Sequence, residues 1–266
     1  MNAHDIDYKI YGDDMQFVEI ELDPMETVMA EPGAMMMMDD TIEMNTIFGD
    51  SSPQQDGLMG KLFSAGKRVL SGESLFMTAF TNAGNTKKHL AFSAPFPGKI
   101  IPVDLTRFGG RLICQKDAFL CAAKGVSISI EFTRKIGAGF FGGEGFILQK
   151  LEGDGMAFVH AGGTLYQRNL GVGEFFKVDT GSLVAFTADV GYDVQFVGGI
   201  KNSLFGGEGV FYARMQGPGT VWVQSLPFSR LADRVVASAP RAGGKRRGEG
   251  SILGGLGDLL DGDNRF

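Results

Sequence analysis

Apolar and polar residues alternate with a period of two along most of this chain. The segment QFVEIEL (Gln16 to Leu22) alternates. In VSISIEF, Val126, Ile128, Ile130 and Phe132 alternate with Ser127, Ser129 and Glu131. That period predicts half-buried strands. GEFFKVDTGSLVAF is rich in Phe and Val and reads the same way. Helical spacing shows at one place, PFSRLADRVVAS (Pro227 to Ser238), with Phe228, Leu231 and Val235 on one side. The expected class is all-β, with little helix and a short C-terminal tail.

The strands recur as blocks. FGGEG occurs at Phe141 and again at Phe205, 64 residues later. FILQKLEGDGMAFV follows the first copy and VFYARMQGPGTVWV the second. A weaker third copy, SGESLFMTAFTNAG, begins at Ser71 and aligns Gly72-Glu73 with Gly143-Glu144 and Gly207-Glu208. Upstream of each lies a second shared pattern: TVMAEPG, FLCAAKG and VAFTADVG. The reading is one repeat-built β domain, β-sandwich-like, over residues 1–238, with units near 7–105, 106–172 and 173–230. Residues 239–266 read as a Gly-rich basic linker and terminal segment, and the polar stretch within 46–68 as a long loop.

These repeats decide how the glycines are read. GAGFFG, Gly137 to Gly142, fits a dinucleotide-binding G-x-G-x-x-G. Such a turn needs a helix behind it to aim amide groups at a pyrophosphate, and here another strand-like run follows. GGIKNSLFGGEG lacks the spacing altogether. The turn therefore belongs to the repeat, and its glycines supply positive φ or close backbone approach.

Composition adds three points. Forty glycines in 266 residues, about 15% against a usual ~7%, suit short strands and tight turns. The net charge of −6 hides an asymmetry. Residues 1–60 hold fourteen acidic residues and one Lys; the remainder holds 24 basic and 17 acidic. An acidic segment of that size repels phosphate backbones, so no nucleic-acid partner is expected, and one subunit's acidic face could meet another's basic face. Two cysteines make no disulfide framework. The start carries neither a signal-like nor a transit-like pattern, and no run approaches a membrane span, so a soluble cytoplasmic protein is expected.

FFGGEGFILQKLEGDGMAFVHAGGTL, the second FGGEG, LPFSRLADRV and GEGSILGGLGDLL together resemble the altered-inheritance-of-mitochondria (mitochondrial biogenesis) family, from about residue 7 to 262. The resemblance implies a β-sandwich fold related to the tryptophan RNA-binding attenuation protein, duplicated within the chain and commonly oligomeric. Eukaryotic members are tied to inner-membrane organisation without a known catalytic activity; this chain looks like a prokaryotic member. No repeated Lys/Arg cluster supports RNA binding, because KKH (Lys87 to His89) and KRR (Lys245 to Arg247) occur once each.

Candidate chemistry is thin. Glu73, Glu144 and Glu208 occupy equivalent repeat positions. Converging on a repeat axis, they would need a cation or a shared proton; otherwise each accepts hydrogen bonds from turn amides or faces water. They are the candidate metal set, with no cofactor expected. Met35 to Met38 form either an adaptable surface or a strand alternating between core and a subunit contact. His4, His89 and His160 are isolated, and a structural or exposed role is expected. Cys114 and Cys121 flank QKDAFL and are expected reduced on strands. Trp222 reads as a core or interface anchor. The tail, KRR before ILGGLGDLL, either docks on its own oligomer or touches a membrane. The expectation is a non-enzymatic, homo-oligomeric scaffold or assembly protein, a trimer among the allowed states. The alternative is a small-ligand or metal-binding module with its site between repeats.

Overall fold

A computed structural model describes residues 3–48, 76–134, 146–196 and 211–238. The first run of strands is β1 (Asp7–Tyr11), β2 (Phe17–Leu22), β3 (Thr27–Ala30), β4 (Met35–Met38), β5 (Ile42–Phe48), β6 (Phe76–Asn82) and β7 (Lys88–Ser93). Next come β8 (Gly98–Asp104), β9 (Arg111–Gln115), β10 (Phe119–Ala123), β11 (Ser127–Arg134), β12 (Phe146–Glu152) and β13 (Met156–Gly162). The last run is β14 (Leu165–Leu170), β15 (Phe175–Asp179), β16 (Leu183–Thr187), β17 (Gly191–Phe196), β18 (Phe211–Gln216) and β19 (Gly219–Gln224). Helix α1 spans Phe228–Ser238, where the spacing of Phe228, Leu231 and Val235 places it. The strands lie in one compact unit, Met1–Arg230; a second unit, Leu231–Phe266, takes most of α1.

Four antiparallel sheets result. Their orders are β1-β2-β7-β4, then β5-β6-β3-β10-β13-β8, then β11-β12-β9-β16-β19-β14, then β15-β18-β17. Three apolar clusters bind neighbouring sheets. Val18, Ile20, Leu90 and Phe92 of the first sheet meet Val28, Phe80, Leu120 and Phe158 of the second. Met29, Phe119 and Ala157 of the second share a cluster with Leu112, Leu151 and Trp222 of the third. Leu148, Phe186 and Val221 of the third meet Val178, Val194 and Met215 of the fourth.

The second and third sheets thus give side chains to a core on each face. Their central strands show what this demands of sequence. FLCAA of β10 and LVAFT of β16 are buried at every position, so apolar runs replace alternation there. At the outside, β2 keeps strict alternation, with Val18, Ile20 and Leu22 inward.

Alternation also fails in β11. The register against β12 slips between Ile130 and Phe132, and Ile130 is 36% exposed. The extra residue of a β-bulge turns the side chain that follows it, so the inward reading fails at Ile130, and Phe132 packs against a different core from Val126 and Ile128. The four methionines of β4 are strand residues, as read. None of them alternates into the core, because all four are exposed on a strand at the sheet margin.

Phe158 anchors this stack: it is fully buried in the second sheet and meets the Tyr8 ring edge-on at 4.9 Å. Phe158→Ala is expected to cost about 3–5 kcal/mol, read as a lower urea midpoint with little change in slope.

Candidate functional site

Glu73, Glu144, Glu208 and the GAGFFG turn lie outside the described residues. Among the described residues, no group of three or more His, Cys, Asp or Glu side chains is placed to hold a metal ion. The remaining sequence candidates are placed, and each has a physical assignment.

His160 sits on β13 in the second sheet and is 1% exposed. Its ring meets the edge of Phe96 at 4.5 Å, and Phe96 in turn lies 5.4 Å from Phe228. Two glycines make room for this socket. A Cβ on Gly98 would lie 2.0 Å from the Ala161 carbonyl oxygen and 2.7 Å from His160 Nε2. One on Gly162 would lie 2.0 Å from the Leu226 carbonyl and 2.5 Å from the Phe96 ring. Neither imidazole nitrogen has a partner in normal hydrogen-bond geometry, although the Phe96 backbone offers a small favourable contribution. Burial dominates and pulls His160 down from 6.5 to about 4, so the ring is neutral at pH 7.

The other histidines differ. Nδ1 of His4 accepts from the Thr27 amide at 2.8 Å, which ties the N-terminal segment to β3. Burial, then the neighbouring Lys124, holds His4 below its usual value, with Glu26 acting against them. His89 is on the surface, 3.1 Å from Glu21, beside the Lys87–Glu21 ion pair.

Cys114 lies on β9 in the third sheet and Cys121 on β10 in the second, so they are not partners across a hairpin. Both are free and fully buried. Burial pushes both thiols well up, with the charge of Glu31 adding to the effect at Cys114. Neither is a thiolate nucleophile under these conditions. Trp222 is 5% exposed, donates from Nε1 to Gln167 at 3.1 Å and packs edge-on against Phe108.

Two polar residues escaped the sequence reading. Glu31 follows β3, beside Lys116 and Asp117, and burial raises its carboxyl to about 7, with Asp117 adding and Lys116 opposing. Gln149 is fully buried opposite Cys114, with neither end of its amide partnered. The one available signal for Glu31 is an acid set directly after an apolar run, in TVMAEPG. Gln149 carries no such signal, since FILQKLE reads as an ordinary strand.

An open cleft of about 520 Å³ is lined by His4, Asp5, Asp104, Thr106 and Asp154. Two of its three carboxylates hold backbone amides. Asp104 accepts from the Thr106 amide at 3.0 Å and hydroxyl at 2.6 Å, and Asp154 accepts from the Ala3 amide at 2.8 Å. The cleft organises a turn and the chain's start.

Comparison with known proteins agrees with the resemblance. Residues 8–226 match the family described as Mitochondrial biogenesis AIM24. The chain belongs to the AIM24 family. An uncharacterised protein from Streptococcus pyogenes serotype M6 is 29% identical over 221 residues, covering 82% of this chain and 85% of that one. A crystal structure of a Streptococcus pyogenes protein shares the fold with a TM-score of 0.70 at 23% identity, over 88% of this chain and 100% of that one. For this AIM24 protein, the matched region includes every described strand except the first residue of β1.

Two substitutions test the buried titratable groups. The lowered value of His160 gives stability that is full above about pH 6.5 and is lost as pH falls through about 4. His160→Gln is expected to remove that acid-side loss, roughly 3 kcal/mol at most, as read by urea melts across pH 4–7. The raised value of Glu31 gives a contribution that is full below about pH 4.5 and is lost as pH rises through about 7. Glu31→Gln is expected to flatten that rise-side loss and leave the acid side unchanged.

Proposed function

We propose that this AIM24 protein is a non-catalytic scaffold that works as a homo-oligomer. The observation that carries this reading is β4. Four consecutive methionines, each 36–45% exposed, stand on a strand that pairs with β7 on one side and with no strand on the other among the described residues. An open apolar strand edge is an assembly surface or an aggregation hazard, and a protein that stays in solution must cover it. Methionine suits a covered edge because its flexible, polarisable chain fills irregular gaps.

The chemistry elsewhere is consistent with this reading. The thiols lie within apolar clusters and the imidazole is buried, which supports a packing role for them. No helix among the described residues is long and apolar enough to cross a membrane, and the acidic first sixty residues disfavour nucleic acid. We place the scaffold in the cytoplasm, without a resident cofactor.

Native mass spectrometry beside the denatured mass tests the proposal. A defined oligomer with no added mass is the expected result. A monomer at micromolar concentration overturns it. A stoichiometric adduct lost on denaturation would instead favour a small-ligand or metal-binding module.

A further inference from the structure

We propose that copies of this chain join head to tail, β15 of one copy pairing with β4 of the next, Val178 opposite Met37. This rests on the oligomeric reading above and names its surface. The argument comes from two joints that the chain makes internally.

The second sheet is continuous because β3 pairs with β10, placing Ala30 opposite Cys121, Met29 opposite Ala122 and Val28 opposite Ala123. The third is continuous because β9 pairs with β16, placing Cys114 opposite Ala185, Ile113 opposite Phe186 and Leu112 opposite Thr187. Each joint uses a strand of one kind from one stretch of chain and a strand of another kind from the next.

The strand of the first kind is followed through its other neighbour. Met29 of β3 faces Ala79, Ile113 of β9 faces Lys150, and Lys177 of β15 faces Arg214. Ala79, Lys150 and Arg214 each stand at the same distance after Gly72, Gly143 and Gly207 in the recurring blocks. Met29, Ile113 and Lys177 are therefore counterparts, and so are Ala30, Cys114 and Val178.

The strand of the second kind carries its own marker. In β10 the register against β13 slips between Phe119 and Cys121. In β16 it slips against β19 between Leu183 and Ala185. In β4 it slips against β7 between Met35 and Met37. One irregularity at one place in three strands makes Met37, Cys121 and Ala185 counterparts.

Two of the three strands of each kind are joined, and one of each is left over. Among the described residues β15 pairs only with β18, and β4 only with β7. Burial marks the difference: β10 and β16 are buried throughout, whereas β4 is exposed throughout and Phe175 of β15 is 46% exposed.

Carrying the internal register across two copies puts Met37 opposite Val178, Met38 opposite Lys177 and Asp39 opposite Phe176. Met38 and Lys177 then share one face of the joined sheet, and Met37 and Val178 the other. The fourth sheet of one copy would run on into the first sheet of the next. Because the two edges differ, the contact is heterologous, and it gives a closed ring or an open chain according to the rotation between copies.

The test is a mixture of two single variants, Met37→Cys and Val178→Cys, under mild oxidation, read by intact mass under non-reducing conditions. Directly opposite strand positions come within disulfide reach, and native Cys114 and Cys121 are buried with suppressed ionisation. The expected result is a disulfide-linked dimer containing one chain of each variant, well above any like-with-like product. As a second measurement, Met38→Glu is expected to raise the oligomer's dissociation constant at least tenfold while its thermal melt as a monomer stays unchanged.

Wild-type protein that is oligomeric, with no mixed cross-link and no effect of Met38→Glu, overturns this joint and leaves the scaffold reading standing. A double variant that closes only a disulfide within its own chain also overturns it. A wild-type protein that is monomeric overturns both.

Discussion

Two of the four sheets give side chains to a core on each face, and the rest of the structure is organised around that constraint. Backbone groups in such a layer must all find partners within the sheet, since an unpaired amide there costs 1–3 kcal/mol by typical measures. The chain meets the demand by joining strands from different stretches edge to edge, β3 to β10 and β9 to β16. The all-apolar sequences of β10 and β16 follow from the same cause. So do the small residues at the joints: Ala30 faces Cys121 and Ala185 faces Cys114, pairs that let two cores approach the same backbone.

Polar groups in and beside those layers show what loss of solvent does to chemistry. His160, Gln149 and Glu31 lie in three different surroundings, yet each is pushed toward its neutral form or left without a partner. A catalytic site normally arranges compensating charges or donors around such groups. Here His160 is flanked by an aromatic ring and two glycines, which makes it a packing element with a titratable ring.

Much of the fold could be read from residues alone, for reasons that particular strands make plain. QFVEIEL has one wet face, so its alternation is visible and β2 falls where the pattern puts it. FLCAAKG and VAFTADVG were recognised through their recurrence, because a strand dry on both faces has no alternation to see. Ile130 was misplaced because a bulge leaves no mark in composition. The site was less legible. The surroundings of Glu31 were not legible, because its neighbours Lys116 and Asp117 are remote in sequence and arrive through the β3–β10 joint. Nothing in the sequence separates Gly98 and Gly162 from the other glycines, and their use is to let backbone carbonyls and the Phe96 ring approach where a methyl group would collide.

The shared strands also govern how the protein comes apart. β10 contributes Phe119 and Ala122 to one core and Leu120, Cys121 and Ala123 to another. Peeling it away would strip two cores at once, and β16 holds the same position further along, with Val184 and Ala185 on one side and Leu183 and Phe186 on the other. Stacked repeats that touch only at their surfaces can fray from an end, one unit at a time. In this chain the seams run through the middle of sheets, so amide hydrogens of β10 and β16 should open only with global unfolding, and the three stretches behave as a single cooperative block.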